Sequence, residues 1–578
     1  MDALQESAAP EEALALFEAG ELFKNLKWPR ADQAETPLLL SVIDLHNAGR
    51  IDLLTLPARP EFGALEGRQI FVVQDFLNRA IPRLTGTVRA MMTFVEALVA
   101  KAGQDMMAGV ANGGFISWCQ AQPSRAQEVV AMARSGDGQA SCFAYLALQA
   151  LADPADARDF VAAFDDERRD GALLALGAIP HPTEDARQTT MTALRKVIDG
   201  APGDTTRARV IEACIRIHGA TAAPLPTPAV ALISDALTGG GDITLHAAAG
   251  QLFDLAIGQS ALLSPDLIAS LLDALKRVNS DNGGTIDLLD VALSSLIEAG
   301  FADEAVAFVT ALLPLAHGRI PLSRLEGFRD ALWKRPAADF NGTVAAWWLS
   351  GDHSLSEGLE VAFRRARPPQ VLDMDLAPLG LTDGQTESLC RKAIGYGFLQ
   401  PVTASSVLVS ALRTAGPALS KIVEDLLYDP LLTSYGGDLT DYLKSIPVTD
   451  PAYAAVRRAL RRKTKYLKGL SDAGTIKELH PPESHRQAEL TRWQDEMRIA
   501  AENARKQSPL LSIIPRSVLL YGRQSLTMVQ DLGGGPPRPL ETMLHTHGVS
   551  MEMPRLQLLD PLGLDQMLLA LRSEPVQS

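Results

Sequence analysis

The amino-acid sequence predicts a mainly α fold, an α-solenoid of stacked helical hairpins with a small C-terminal α+β module. Three observations predict it. The helical pattern recurs, the predicted core consists mainly of Ala and Leu in a chain with only 5% aromatic residues, and Pro and Gly lie at predicted helix boundaries. Unbranched apolar side chains favour helices that pack closely on helices, whereas β-branched residues favour sheets. The first observation is the most direct. An Ala-Leu pair recurs at Ala193-Leu194, Ala236-Leu237, Ala274-Leu275 and Ala311-Leu312.

The recurring pattern has the period of a helical repeat. Successive Ala-Leu pairs are 43, 38 and 37 residues apart, and second helices are predicted between them over 205–219, 242–256 and 284–300. A helix pair that returns every forty or so residues is typical of a stacked solenoid. In period and apolar pattern the chain resembles the HEAT/armadillo-like class of helical repeats. This resemblance implies an extended concave surface and a non-catalytic role as a scaffold or adaptor.

Helix boundaries in this region carry the expected residues. Proline is tolerated in the first turn of a helix, where its missing N–H would have no partner in any case. Glycine is favoured where helices end. Prolines at predicted starts are Pro154, Pro182, Pro228 and Pro265, and glycines at predicted ends are Gly200, Gly219, Gly239–Gly241 and Gly300.

The chain divides by pattern into five regions. An N-terminal helical region over 1–135 precedes the helical-repeat solenoid over 136–320. The other three are an irregular helical continuation over 321–450, basic and coiled-coil-like helices over 451–508, and the small α+β module over 509–578. At 578 residues the chain is long enough for several such modules or for one long array.

The α+β module is predicted from short apolar runs and turn residues. Residues 517–521 and 525–529 form a predicted hairpin around Gly522-Arg523-Gln524. The glycine- and proline-rich stretch Gly533–Pro539 is predicted to be a flexible or extended connector. A third strand is predicted over 549–553 and a closing helix over 564–572. An irregular terminus docked on the solenoid is the alternative.

Composition and charge narrow the function classes. With 47% apolar and 21% charged residues the chain is globular, and its net charge of −15 argues against a general affinity for nucleic acid. The four cysteines form no C-x-x-C pair, which indicates reduced thiols. A signal peptide is not apparent, and no run of eighteen apolar residues predicts a membrane span. We therefore expect a cytoplasmic location.

The sharpest local signal is a basic helix over 453–468. Residues 451–508 contain 13 Lys and Arg and 7 Asp and Glu, which gives this segment a net charge of +6 and the rest of the chain a net charge of −21. Three uses of the basic face stay open: a solvated face or one paired with the chain's own acidic surface, an acidic protein partner, or nucleic acid. An anionic membrane is disfavoured because the apolar face lacks bulky insertion residues. The candidate partner-binding residues are Arg457, Arg458, Arg461, Arg462 and Lys465.

A second helix, predicted over 489–506, is polar with a narrow apolar stripe. Its apolar residues alternate at spacings of three and four, which is typical of a helix that packs on a single partner. They are Leu490, Trp493, Met497, Ala500 and Ala504.

Motifs for catalysis and metal binding are weak. The chain has no Gly-Lys dipeptide, so it has no Walker-type phosphate loop, and no G-x-S-x-G elbow occurs. His480 and His485 flank two prolines, which disfavours a helical metal site. His545 and His547 are the better metal candidates, because alternate residues of a strand point the same way. Polar side chains on an exposed strand are the commoner explanation.

These observations favour a non-catalytic scaffold or adaptor subunit that binds a protein partner in a cytosolic assembly, without a cofactor. One alternative is a nucleic-acid-associated subunit that uses the basic helix over 453–468. The other is a metal-dependent activity in the C-terminal module. The identity of the partner does not follow from the sequence.

Overall fold

The computed structural model describes residues 10–24, 26, 36–103, 109–219, 223–315, 320–364, 370–506, 524–529, 538–543 and 552–577. The chain forms two compact units, Met1–Arg335 and Pro336–Ser578. The five sequence regions have other boundaries and remain a prediction about pattern.

Unit 1 is built of helices joined by short connections and 3₁₀ turns. Its α-helices are α1 (Pro10–Glu18), α2 (Pro37–Asn47), α3 (Pro60–Gly63), α4 (Arg68–Ala80), α5 (Val88–Ala102), α6 (Val110–Ala121), α7 (Pro123–Arg134), α8 (Gly138–Leu151), α9 (Pro154–Ala163), α10 (Glu167–Ala178), α11 (Glu184–Asp199), α12 (Asp204–Ile217), α13 (Thr227–Leu237), α14 (Asp242–Gly258), α15 (Pro265–Leu275), α16 (Gly283–Glu298), α17 (Ala302–Leu315) and α18 (Glu326–Trp333).

The helices of unit 1 pack in two layers. In the first layer each helix packs on the helix two further along the chain, in the order α4, α6, α8, α10, α12, α14, α16 and α18. A second layer continues in the same way through α9, α11, α13, α15 and α17. Stacking of successive helix pairs is the arrangement of a helical repeat, in which each pair buries its apolar face against its neighbours. The predicted mainly α fold is therefore confirmed, and its packing is consistent with a helical repeat.

The four Ala-Leu pairs all lie on the second layer, on α11, α13, α15 and α17. Their leucines, Leu194, Leu237, Leu275 and Leu312, are each at most 3% exposed. A fully buried leucine contributes about 2 kcal/mol by transfer from water. The recurring pair therefore marks the position at which each helix of this layer enters the core.

The predicted helix boundaries agree with the structure at most positions. Pro154 and Pro265 are the first residues of α9 and α15, and Pro228 is the second residue of α13. Gly239 and Gly300 follow α13 and α16 with φ of 74° and 95°, a conformation that glycine adopts without steric cost.

Partly buried carboxylates link helices of the first layer. Asp204, at the start of α12, accepts hydrogen bonds from the backbone N–H of Gly241 (2.7 Å), Ile243 (2.9 Å) and Thr244 (3.2 Å), at the start of α14. These are donors that have no partner within their own helix. Partial burial by itself would raise the pKa of Asp204, but a hydrogen bond from the Thr244 hydroxyl, together with these backbone bonds, lowers it.

The same link recurs two helix pairs later. Asp290 on α16 accepts from the backbone N–H of Gly327 and of Phe328, each at 2.8 Å, at the start of α18. Here burial is the stronger influence and raises the pKa of Asp290. Each acceptor lies 37 to 40 residues from its donors, so the hydrogen bonds between helices recur with the period of the repeat.

Replacing Asp204 with alanine should lower the free energy of unfolding by about 2 kcal/mol, because three N–H groups lose their cap. Urea unfolding followed by circular dichroism measures the change. Asp254→Ala, at an exposed position of α14, is the matched control and should change stability by less than about 0.5 kcal/mol. The difference between Asp204→Ala and the parent chain should shrink as the pH falls below 3.8 through the lowered pKa of Asp204. Equal losses for the two variants would contradict the capping role.

Unit 2 shows pairwise packing of the same kind. Its α-helices are α19 (Ala337–Leu349), α20 (His353–Arg364), α21 (Asp383–Gly397), α22 (Pro401–Thr414), α23 (Pro417–Leu426), α24 (Asp438–Ser445), α25 (Tyr453–Ala473), α26 (Glu483–Lys506), α27 (Arg555–Leu559) and α28 (Pro561–Ser573). Helices α19, α21, α23 and α25 pack in series, with α22 and α24 beside them, and the closing helix α28 packs on α21. A kinked segment, Leu427–Leu432, in which Asp429 has extended backbone angles, separates α23 from α24.

The C-terminal prediction needs correction. Strand β1 (Gln524–Val529) pairs antiparallel with β2 (Arg538–Met543), so that Leu526 lies opposite Glu541. The last two residues of the predicted connector thus begin a strand, whereas the predicted partner strand over 517–521 lies outside the described residues. The closing helix is confirmed as α28. Because α28 packs on α21 of the helical unit, a separate α+β module over 509–578 is not supported.

Candidate partner-binding surface

The basic helix exists and is longer than predicted, running from Tyr453 to Ala473 as α25. Just before it, the Asp450 carboxylate accepts from the backbone N–H of Ala452 at 2.8 Å and pairs with Arg413 at 2.9 Å. The first half of α25 packs on α23 and on the kinked segment, with Val456 and Leu460 buried. This packing fixes which side of the helix faces solvent.

Two of the five candidate residues bind acidic groups of the chain itself. Arg458 Nε lies 2.8 Å from Glu424 Oε2, and a guanidinium nitrogen of Arg462 lies 2.5 Å from Asp425 Oδ1. The Arg462 guanidinium also stacks 4.1 Å from the centre of the Tyr428 ring. The Arg462–Asp425 pair is exposed, and such pairs contribute roughly 0–1 kcal/mol. Glu424 in the other pair is buried. The main effect of the two pairs here is to neutralise two positive charges.

Arg457 is held against the helix. Its guanidinium lies 4.9 Å from the centre of the Tyr453 ring, one turn earlier. Its Nε is buried and has no hydrogen-bond partner among the residues that the structure describes. Arg457 is therefore less available to a partner than the sequence suggests.

Arg461 and Lys465 are the candidate residues that stay available. Both are exposed, and neither forms an ion pair with another residue in the described part of the chain. Lys468, which the sequence analysis did not single out, is also exposed. The three lie at i, i+4 and i+7, so they share one side of the helix. We call Arg461, Lys465 and Lys468 the cationic stripe.

A cleft of about 440 Å³ runs beside the cationic stripe. The rings of Tyr428 and Tyr466 contribute its aromatic walls, and Leu470 is 47% exposed within it. On the helix, the lining residues fall between the cationic stripe and the buried face. We call this feature the tyrosine cleft. Its lining is Tyr428, Arg462, Lys465, Tyr466, Gly469 and Leu470.

Lys463 is a buried structural residue of α25 that the sequence analysis missed. Its side chain is buried and its Nζ donates to the carbonyl oxygens of Tyr435 (3.0 Å) and Gly436 (3.5 Å) and to the Thr440 hydroxyl. Burial lowers the pKa of Lys463. A signal was present in the sequence, because Lys463 occupies a position of the apolar stripe that also contains Val456 and Leu460.

The turn that Lys463 holds is bound from its other side by Glu552. The Glu552 carboxylate accepts from the backbone N–H of Gly436 at 2.5 Å and of Gly437 at 2.7 Å. We call residues 435–437 the clamped turn. Glu552 raises the pKa of Lys463 and Arg555 lowers it, so the charges around the clamped turn influence one another.

The second predicted helix is α26, and all of its residues are exposed. Its charged side chains pair along the helix, for example Arg492 with Glu496 at 3.0 Å and Arg498 with Glu502 at 3.1 Å. Apolar side chains that would normally be buried are not. Leu490 is 48% exposed, Trp493 41% and Met497 49%. We call the predicted stripe of Leu490, Trp493, Met497, Ala500 and Ala504 the α26 seam.

A second cavity, of about 600 Å³, lies where the C-terminal helix meets α21. Lys392 Nζ donates there to the carbonyl oxygens of Arg572 (2.5 Å) and Glu574 (2.7 Å), and the Arg572 guanidinium pairs with Glu360 at 3.1 Å. The His353 ring is hydrogen-bonded to the Tyr396 hydroxyl at 2.9 Å. The positive groups of this cavity thus bind the chain's own carbonyl and carboxylate oxygens and fasten α28 in place.

The metal candidates of the sequence analysis stay a prediction. His545 and His547 lie outside the described residues. Across the ranges that the structure describes, no group of three or more His, Cys, Asp or Glu residues is arranged to hold a metal ion. His480 instead makes a 2.8 Å hydrogen bond with the carbonyl oxygen of Gly474. None of the described helices is both long and apolar enough to cross a bilayer.

Comparisons with protein-family models, with curated proteins and with solved structures found no match to this chain. Its function has to be inferred from the geometry of its own residues.

Proposed function

We propose that the chain is a non-catalytic scaffold or adaptor subunit, and that the α26 seam is where it binds a protein partner. The observation that carries this proposal is the exposure of the seam. A helix at the surface of a globular protein normally turns its apolar residues toward the core. A narrow apolar stripe at spacings of three and four is typical of a helix that packs on another helix.

The energetics of α26 favour a partner. An isolated helix gains only about 0.3–0.5 kcal/mol from each ion pair one turn apart, and most helix stability in proteins comes from packing of an apolar face. Burying the exposed halves of Leu490, Trp493 and Met497 would contribute about 3 kcal/mol. A partner that covers the seam would supply the packing that α26 lacks.

The repeat architecture supports the same role. Stacked helical pairs present long surfaces to other proteins, and the HEAT/armadillo-like resemblance implies such use. A scaffold of this kind acts within a multi-protein assembly, which we place in the cytoplasm.

Nucleic acid is the second candidate, and the cationic stripe is the observation that favours it. The pairing of Arg458 and Arg462 with Glu424 and Asp425 weakens this candidate, because phosphate contacts require cations that are not already neutralised. The third candidate, a metal-dependent activity of the C-terminal residues, would depend on His545 and His547.

The seam can be tested by affinity purification of the tagged full-length chain from its native host, with quantitative mass spectrometry of what is recovered. Changing Trp493 and Met497 together to alanine should lower recovery of a specific partner about thirtyfold, since buried aromatic anchors contribute 2 kcal/mol or more at interfaces. The helix itself should persist, because both side chains are exposed.

The control changes Thr491 and Asp495 to alanine on the opposite side of α26. Both residues are exposed, and this variant should recover the partner as the parent chain does. Circular dichroism verifies that both variants keep their helix content. Equal recovery by the two variants would exclude the seam as the contact.

A further inference from the structure

We propose that the tyrosine cleft, together with the cationic stripe, binds a short acidic segment of a protein, with an apolar side chain of that segment between the two tyrosines. The proposal rests on the proposed scaffold function and names the chemistry of a contact separate from the α26 seam.

Unneutralised positive charge lies at the edge of the cleft. Lys465 both lines the cleft and belongs to the cationic stripe, and Arg461 lies one turn before it. In the described part of the chain no carboxylate pairs with either residue, whereas Arg462 pairs with Asp425. A carboxylate that enters the cleft would therefore meet cations that have no competing partner, which is the charge complementarity of a specific contact.

The walls of the cleft suit an apolar side chain. Tyr466 is 39% exposed and Leu470 47% exposed, so both present apolar surface to the cleft. Gly469 leaves open space, because no atom lies within 4 Å of the position where a side chain would start. A volume of about 440 Å³ is in the lower part of the range for ligand sites, about 300–1,000 Å³. It accommodates a few side chains of an extended peptide.

Nearby carboxylates favour a short acidic peptide over nucleic acid. Asp425 binds the lining residue Arg462, and the exposed Asp429 follows the lining residue Tyr428 in the chain. A nucleic-acid backbone carries a charge at every nucleotide and would place phosphates near these carboxylates. A peptide can present one or two acidic groups to Arg461 and Lys465 and an apolar group to the cleft.

The experiment is fluorescence anisotropy with the full-length chain and a panel of labelled peptides, each about 12 residues long. Each peptide carries glutamates around one central Leu, Phe or Trp, and a matched peptide has glutamine in place of every glutamate. At least one acidic peptide should bind about tenfold or more tightly than its glutamine match. Lys465→Glu and Tyr466→Ala should each weaken this binding about tenfold. Added salt should weaken it as well.

The control variant is Lys196→Glu, which makes the same change of net charge at an exposed lysine of α11 in unit 1 and should leave binding unchanged. The proposal is overturned if no acidic peptide binds, if the glutamine peptides bind equally, or if Lys465→Glu has no effect. Tighter binding of an oligothymidylate of about 20 nucleotides would also overturn it, in favour of nucleic acid. These outcomes are independent of the α26 seam, because the test of the seam changes Trp493 and Met497 instead.

Discussion

Raising the pH from 8 to 10.5 is expected to lower the free energy of unfolding by about 6 kcal/mol through three buried cysteines. Burial raises the pKa of Cys119, Cys214 and Cys390 from 9.0 to about 12. A group with a raised pKa in the folded state stabilises that state fully only below its unfolded pKa, and this contribution is lost as the pH rises toward the folded pKa. At pH 10.5 each thiol lowers the free energy of unfolding by about 2 kcal/mol, since each pH unit above 9.0 lowers it by about 1.4 kcal/mol.

The measurement compares urea unfolding of the parent chain and of a Cys119→Ala, Cys214→Ala, Cys390→Ala variant at the two pH values, under reducing conditions. Over this pH range the free energy of unfolding, summed over the two units, should fall by about 6 kcal/mol less in the variant than in the parent chain. Lysines such as Lys463, whose pKa is lowered by burial, act in the opposite direction in both proteins, and their effect cancels in the comparison. Cys142→Ala, at an exposed cysteine, is the control and should follow the parent. The same pH dependence in parent and triple variant would refute the assignment.

Replacing Lys463 with alanine should destabilise unit 2 by about 3 kcal/mol. The change removes a buried donor from the carbonyl oxygens of Tyr435 and Gly436 and from the Thr440 hydroxyl, and it leaves a cavity where four methylene groups were packed. A buried acceptor without a partner costs about 1–3 kcal/mol, and a cavity adds to that cost. Burial of the lysine charge is itself unfavourable, which limits the total.

The matched control for Lys463→Ala is Lys465→Ala, two residues later on the same helix. Lys465 is exposed, so its loss should change stability by less than about 0.5 kcal/mol. Hydrogen exchange followed by mass spectrometry provides a local measurement: peptides that contain the clamped turn should exchange faster in Lys463→Ala only. If the two variants unfold at the same urea concentration, Lys463 does not hold the turn.

The repeat was predictable because its determinants are local. The Ala-Leu pairs and the prolines at helix starts act within one or two turns of a helix, where sequence spacing translates directly into position. Leu194 and Leu275, for example, occupy equivalent buried positions on α11 and α15. The α26 seam was predictable for the same reason, although its exposure was not, because exposure depends on what the rest of the chain leaves uncovered.

The charge pairing of the basic helix was not predictable, because it depends on contacts between successive helix pairs. Glu424 lies 34 residues before Arg458, and Asp425 lies 37 residues before Arg462. A helical wheel places both arginines on the exposed side of α25 and contains no information about α23. Only the stacked arrangement distinguishes the neutralised Arg458 and Arg462 from the available Arg461 and Lys465.

The C-terminal strands illustrate a different limit. The sequence predicts a strand over 525–529, which corresponds to β1, but it predicts the nearest apolar run, 517–521, as the partner of that strand. The structure pairs it with Arg538–Met543 across a longer connection. Short strands have no internal periodicity long enough to specify register, so hairpin partners are chosen by turn geometry and tertiary packing.

The clamped turn makes two distant parts of the chain thermodynamically dependent on each other. Lys463 reaches it from α25 and Glu552 from the segment that leads to α27 and α28, so each contact is made more favourable when the other has already ordered residues 435–437. A chain cleaved before Glu552 would lose the acceptor for Gly436 and Gly437 and would leave Lys463 holding a looser turn. The helix that carries the cationic stripe would thereby respond to the presence of the C-terminal segment, whose Glu552 lies 116 residues after Gly436 in the sequence.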